Sequence, residues 1–493
     1  MELERNKINK GIVMFVMILG CFLSTLNQTL LNVALNELMD VFQVSATTVQ
    51  WLATGFLLIN GVLVPVTAYL MKRFTTRQLF ISSMLFLLTG TVVCSISSNF
   101  GVLLTGRMIQ AAGTGIITPL MMSVVLALYP AERRGSAMGL IGFAVIFAPA
   151  IAPTLAGFII DYVSWRWLFI GFAPFVVVVI LLSMKYLVNV SETSRASLDF
   201  IGILYSTVGF GGILYGFSSA GSKGWGDPFI LLTLIGGLLF TALFCIRQVR
   251  SKEPLLNLDV FKNKVFTLTS VINVLVTMLL YADMILLPIY LQDGRGFTAF
   301  EAGLLLLPGA VINALLSPVT GKLYDRFGPK PLFLTGLFFI IPSMWAVTEL
   351  TTSTSYMYLM IRTICLRIGL SFITMPLNTA GLNALPRTLG THGSAVNNTV
   401  RQIAGAVGTA LVISVYSVQS ARHEANLSQG NVGASNVEEI ATLSSVLGTS
   451  DSYRFMTTLA VIAVFLTFFM PKKSVPKEAA LAFASNKYTN NSK

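Results

Sequence analysis

Fourteen apolar stretches, each close to the length a helix needs to cross a bilayer, dominate this chain. About 20 apolar residues span the hydrocarbon. Windows of that length pick out residues 11–35, 47–71, 77–98, 101–128, 135–160, 166–188, 199–219, 228–248, 265–291, 300–324, 330–349, 354–381, 391–419 and 453–470. In hydrocarbon every backbone amide must find its partner inside its own structure, which leaves helices as the solution for stretches of this length. The composition agrees: 11% of residues are charged, where a soluble domain carries about 25%. The chain reads as an all-α membrane protein. Its first stretch follows Arg5, Lys7 and Lys10, as in a signal peptide. It is too long for one, and no A-x-A cleavage site follows, so it reads as a retained helix.

Charge tests the count. Fourteen spans put both termini on one side of the membrane. With that side cytoplasmic, 24 of the 33 Lys and Arg residues fall inside. Arg166, Lys223, Arg295, Arg422 and Arg454 fall outside, and Arg107, Arg362, Arg367 and Arg401 lie within spans. Such a bias is the positive-inside pattern. The net charge of +12 therefore sits in short gaps between spans, with no basic stripe interleaved with aromatics, and nucleic acid is not an expected partner. Cys21, Cys94, Cys245 and Cys365 each lie in apolar sequence without a CxxC pair, and His392 and His423 are far apart. No metal or cofactor is implied. HExxH and GxSxG are absent, and "GFSSAGSK" (216–223) lacks the Gly-Lys-Ser/Thr of a phosphate loop. The chain does not read as an enzyme.

An internal repeat organises the spans. "AYLMKRFTTRQLF" (68–80) aligns without gaps to "GKLYDRFGPKPLF" (321–333), at an offset of 253 residues. Arg107 and Arg362 fall at an offset of 255. Spans 1–6 thus correspond to spans 9–14, with two helices inserted between. The division expected is a six-helix half over 1–190, the inserted pair and linkers over 191–262, a second six-helix half over 263–470, and a disordered tail over 471–493. Two parallel six-helix halves around a central site are a transporter architecture.

The loop "GKLYDRFGPK" resembles the G-x-L-x-D-R-x-G-x-K/R loop of the major facilitator superfamily. "LNQTLLNVAL" (26–35), "GRMIQAAGTGIITPL" (106–120), "APAIAPTLAG" (148–157) and "SWRWLF" (164–169) resemble its fourteen-helix drug:proton antiporters of the EmrB/QacA type. "MPLNTAGLNALP" and "HGSAVNNTVRQIAGAVGTAL" point to the LmrB-like branch. The likeness runs to about residue 470. It implies a conformational loop at Gly321, Asp325, Arg326, Gly328 and Lys330, which clamps helices and releases them during rocking. The first-half copy has Ala68, Lys72 and Thr75 where the pattern has Gly, Asp and Gly. It also implies an antiporter helix motif at Pro149, Pro153 and Gly157, associated with antiport and with sealing against leak; plain helix packing is the rival. The family's glycines at 148, 152 and 156 are alanines here.

The candidate cavity and substrate residues are Asn27, Asn32, Arg107, Gln110 and Arg362. Arg107 lies about 9 Å into its span at 1.5 Å per residue. Either it snorkels to the interface, or it faces a cavity and tunes a proton site, as the family's arginine motif implies. The wider family often has Asp at the position of Asn27. Asparagine cannot titrate but still forms hydrogen bonds. It is either a polar packing residue or a cavity residue whose coupling duty has moved elsewhere.

Asp283, in "LLYADMILLPIYLQ" (279–292), is the acid inside a span. An isolated charge there costs a few kcal/mol. By helical rise it lies roughly 27 Å along its helix and Asn27 about 25 Å along its own, so the two share a depth in equivalent helices. Asp283 is the leading proton-coupling candidate, with Glu301 and Asp161 at span edges. Its rival role is a structural pair with an arginine such as Arg362. The function expected is proton-coupled efflux of a small lipophilic or cationic drug-like compound by alternating access, in a bacterial plasma membrane, by a monomer whose partners are substrate, protons and lipid. Export or flipping of a lipid-like or metabolic compound is the alternative.

Overall fold

Helices occupy all fourteen apolar stretches in the computed structural model of the chain, which describes residues 9–31, 34–190, 199–251, 254–429 and 437–471. They are α1 (Lys10–Leu30), α2 (Trp51–Arg73), α3 (Thr76–Ser95), α4 (Phe100–Leu128), α5 (Arg134–Tyr162), α6 (Ala173–Tyr186), α7 (Phe200–Lys223), α8 (Pro228–Arg250), α9 (Lys264–Ile289), α10 (Ala299–Phe327), α11 (Pro329–Trp345), α12 (Tyr356–Asn383), α13 (Gly390–Gln429) and α14 (Val437–Phe468). No strand occurs among the described residues. By length and apolarity twelve helices suit a membrane crossing, and thirteen when the two arms of α2 count as one span. Those arms, Trp51–Leu63 and Val66–Arg73, meet at 55°. The break falls at Val64 and Pro65, where proline removes a backbone donor. The 17 residues of α11 fall short of the usual span length. The expected tail over 471–493 lies, after Pro471, outside the described residues.

Helix starts follow local chemistry. Asn99 caps α4 by accepting from the Val102 amide at 3.0 Å. Asn263 caps α9 by accepting from Val265 and Phe266. Each satisfies amides that the helix itself leaves unpaired.

The chain forms two compact units. One takes in the described residues up to Tyr215, with Ile235–Lys262 and Arg387–Thr399; the other takes in Gly216–Leu234, Asn263–Pro386 and the described residues from Val400 onward. Within the first unit α4 packs on α1, α2 and α3, while α6 packs on α1 and α3. Within the second, α12 packs on α9, α10 and α11, while α14 packs on α9 and α11. The sequence repeat is therefore also a repeat of helix neighbours. Glycines set the closest approaches. A Cβ on Gly90 of α3 would stand 2.5 Å from the Gly106 carbonyl oxygen of α4, and one on Gly369 of α12 would stand 2.6 Å from that of Gly336 on α11. Backbones this close bring short polar side chains within reach across the helix pair.

Two local results differ from the sequence reading. The polar stretch 420–452, which by its sequence reads as a loop over the outer mouth with a flexible "SQGNVGASN", is helical over most of its length, because α13 continues to Gln429 and α14 begins at Val437. "SQGNVGASN" falls almost wholly outside the described residues. Cross-helix pairs account for the extra turns: Tyr416 Oη lies 2.8 Å from Ser445 Oγ, and His423 Nε2 lies 2.9 Å from Asp451 Oδ2. Polar residues paired this way extend the two helices together.

The second concerns the turn between α10 and α11 and its first-half copy. Gly328 ends α10 and starts α11 at φ 80°, ψ −176°, a conformation that essentially only glycine adopts. Its counterpart Thr75 is extended and closes a capping box with Gln78. Loss of the family's glycine there is thus a change of turn chemistry with its own hydrogen bonds. Gly328→Ala should lower stability by about 1–3 kcal/mol, and Thr75→Ala by about 1 kcal/mol. Thermal unfolding of the purified protein in detergent checks both; an unchanged Gly328→Ala midpoint would contradict the assignment.

Candidate functional site

In each unit an arginine from the fourth helix of the repeat reaches a side chain on the first. In the second unit Arg362 of α12 donates from Nη1 to Asp283 Oδ1 of α9 at 2.6 Å. Both side chains are almost fully buried, at 2% and 1% exposure. Tyr453 of α14 donates its hydroxyl to the same Oδ1 at 3.1 Å. Arg362 is held further: Nε donates to the Ser343 carbonyl at 2.7 Å, Nη2 lies 3.6 Å from Met344 Sδ, and the guanidinium stacks 4.9 Å from the Tyr453 ring centroid. The Gly336–Gly369 approach brings α11 and its Ser343 carbonyl against α12. Arg367 stands on the other side of the carboxylate, Nη2 to Oδ2 at 3.7 Å. The cluster thus holds two guanidiniums and one carboxylate. A charge that would be costly alone at this depth is tolerated because its partners are buried with it.

In the first unit Arg107 of α4 donates from Nη1 to Asn27 Oδ1 of α1 and to the Asn27 carbonyl, both at 3.2 Å, and to Gln110 Oε1 at 2.9 Å. Gln110 passes the contact on, donating from Nε2 to Thr91 Oγ1 of α3 at 2.8 Å. The guanidinium lies 4.4 Å from the Phe56 ring centroid of α2. The contact is that of Arg362 with Asp283, with a neutral amide in place of the carboxylate. Arg107 is 1% exposed, so it does not snorkel. Its Nε and Nη2 have no hydrogen-bond partner among the described residues.

Other expected residues fall elsewhere. Glu301 is exposed and belongs to a capping box: its Oε2 accepts from the Thr298 amide at 2.9 Å, and Thr298 Oγ1 accepts from the Glu301 amide at 3.2 Å. That role accounts for an acid at the start of α10. Asp161 lies in the last turn of α5, with its side chain outside the described set, and Asn32 lies outside the described residues altogether. Pro149 and Pro153 sit within an uninterrupted α5. Ala144, Ala148, Ala152 and Ala156 form a fully buried face of that helix, so small size is used for packing. A Cβ on Gly157 would meet nothing within 4 Å among the described residues.

The loop residues stand at the junction of α10 and α11. Gly321 is buried and Asp325 half-buried on α10, Arg326 lies 5.1 Å from the Phe327 ring centroid, and Lys330 donates to the Phe468 carbonyl at the end of α14 at 2.8 Å. In the first unit Arg77, aligned with Lys330, donates to the Met184 carbonyl in the last turn of α6. Both basic residues meet the carbonyl-rich end of the sixth helix of their half, where positive charge is favoured.

Tyr453, Phe56, Thr91 and Ser343 were not among the residues singled out from sequence. Tyr453 carried a weak signal, a hydroxylated ring opening an apolar stretch. Arg367 carried a misleading one, since five residues place it about 140° around the helix from Arg362.

The family model for the Major Facilitator Superfamily matches residues 17–409. The chain is 46% identical to the uncharacterized MFS-type transporter YhcA of Bacillus subtilis (strain 168), over 85% of this chain and 79% of that one. It is 40% identical to the lincomycin resistance protein LmrB of the same organism, over 94% and 96%. The crystal structure of the human organic anion transporter MFSD10 (TETRAN) superposes with a TM-score of 0.65 at 14% identity, covering 94% of this chain and 100% of that one, a likeness of fold alone. The chain belongs to the Major Facilitator Superfamily: a transporter and not an enzyme, a multi-pass protein of the bacterial cell membrane with a drug-resistance transporter among its relatives.

Proposed function

We propose that this transporter is a proton-coupled exporter of small lipophilic drug-like compounds, working by alternating access, with the α9–α12–α14 cluster as its proton-coupling element. One observation carries the reading: Asp283 is fully buried within a span and held by groups from two other helices, Arg362 of α12 and Tyr453 of α14. A carboxylate in this position ties α9 to α12 by charge. A proton arriving on it removes that charge and leaves the arginines without their counter-ion. The two protonation states therefore differ in how strongly they hold α9 to α12, which is what a two-state element needs.

The arginines also bear on how substrate and proton communicate. A cationic compound approaching Asp283 meets two guanidiniums there, so coupling runs through the helix contact and not through direct competition for the carboxylate. Asn27 has no proton to exchange, which leaves the first-half cluster as a fixed amide–guanidinium contact. Asp325 and Lys330 act at the conformational loop, which must release during rocking. The topology that goes with this reading is fourteen spans with cytoplasmic termini, as the charge bias favours, arranged as two six-helix halves with α7 and α8 between them in a monomer. Lincomycin is the first compound to try, because a relative at 40% identity is named for resistance to it.

In everted vesicles Asp283→Asn should lose lincomycin-induced proton release at equal membrane abundance, and Asp283→Glu should keep part of it with a shifted pH profile. Full proton release by Asp283→Asn would falsify the coupling role. Asp325→Asn should cripple efflux while membrane insertion stays intact; wild-type efflux at matched abundance would remove the loop from the mechanism.

A further inference from the structure

We infer that Arg367 is a positioning residue for proton coupling: the counter-ion that lets go when Asp283 is protonated, while Arg362 stays fixed. The inference rests on Asp283 being the coupling acid, and it assigns separate duties to the two arginines beside it.

The contacts of the two side chains are unequal. Every nitrogen of Arg362 has a partner: Asp283 Oδ1, the Ser343 carbonyl and Met344 Sδ. Two of those three come from α11 and do not depend on the charge of Asp283. The Tyr453 ring against its guanidinium adds a fourth contact of the same kind. Arg362 therefore keeps its place when the carboxylate is neutralised. Arg367 has no such anchors among the described residues. Its contact with Asp283 is the 3.7 Å approach of Nη2 to Oδ2, longer than a hydrogen bond. Its Nε and Asp283 Oδ2 both lack hydrogen-bond partners among the described residues. Among the described residues its one polar tie is the Coulomb attraction to Asp283, and protonation removes that attraction. It is also the more reachable of the two, at 12% side-chain exposure against 2%.

Room for this side chain is built in. Arg367 passes directly over Gly309 of α10, where a Cβ would stand 3.0 Å from Arg367 Cγ and 3.3 Å from Thr363 Cγ2. Glycine at 309 is what lets Arg367 curl back toward a carboxylate that its helical position does not face. At the repeat offset of 255 the first half has Ala112 in place of Arg367, and the residue that meets Arg107 there is the neutral Asn27. The second guanidinium occurs in the half that has the acid. Among the described residues the charged and titratable groups in contact with Asp283 are Arg362 and Arg367 from α12 and Tyr453 from α14.

The test reads the carboxyl directly and needs no substrate. Infrared difference spectra of the purified full-length protein in lipid, titrated with pH, follow the Asp283 C=O band, assigned by its loss in Asp283→Asn. Removing a nearby cation makes protonation easier. Arg367→Gln should therefore move the midpoint to higher pH by about one unit, a tenfold gain in proton affinity. Arg367→Lys should hold it within about half a unit of wild type. Gly309→Ala, which keeps Arg367 but displaces it, should shift the midpoint in the same direction by less, and it reads the effect if Arg367→Gln does not fold. Thermal unfolding should drop for Arg362→Gln and stay near wild type for Arg367→Gln. A wild-type midpoint in both Arg367→Gln and Gly309→Ala, or equal shifts in the Lys and Gln variants, would overturn the assignment. Loss of the coupling reading is separately visible, as normal proton release by Asp283→Asn with these midpoints still displaced.

Discussion

A guanidinium carried into the hydrocarbon has to be answered by something carried in with it. That constraint decides the interior of this transporter twice. In each half the fourth helix brings an arginine to the depth of the first helix, and the first helix meets it with an oxygen. The offset of 255 residues makes Arg107 and Arg362 counterparts, and the two halves pair the same helices around them. On the first helix they part company at one atom, the amide nitrogen of Asn27 where Asp283 has a second oxygen. The first half thereby has a hydrogen-bonded contact whose strength does not depend on protonation. The second has an ion pair whose strength does.

Much of this could be read from the chain. Each long apolar stretch gave its helix, since composition and length leave a bilayer segment little alternative. The repeat gave the correspondence of Arg107 with Arg362, and helical rise put Asn27 and Asp283 at a shared depth. Partners across helices were a different matter. Arg362 was recognised as a structural rival role for Asp283, but Tyr453 comes from a helix 170 residues away, and nothing local marks it. Arg367 points the wrong way by helical angle and is brought round by space at Gly309, a property of α10. The end of α13 and the start of α14 read as loop for a related reason. Their polar residues look like loop until Tyr416 finds Ser445 and His423 finds Asp451.

The interhelix turns show how one mechanical job tolerates two chemistries. Gly328 folds its turn through a backbone region closed to other residues, while Thr75 folds the equivalent turn with a reciprocal pair of side-chain and backbone hydrogen bonds. A motif comparison scores the second as a loss. The physics scores it as a replacement: Thr75 and Gln78 form a capping box at the start of α3, while α11 starts on Pro329, which has no amide to satisfy. The difference lies in what each turn demands of sequence: one glycine in the second half, and a Thr–Gln pair in the first.

The clamp at those turns has a consequence for how the protein can drift in sequence. Lys330 and Arg77 both donate to main-chain carbonyls, those of Phe468 and Met184. A main-chain acceptor is supplied by whatever amino acid occupies the position. Positions 184 and 468 are thus free to vary without weakening the clamp, and its entire sequence record rests on the basic side. Partner substitutions that betray a side-chain ion pair in related sequences would leave no trace here. A search for coupled positions would pass over a contact that both halves share.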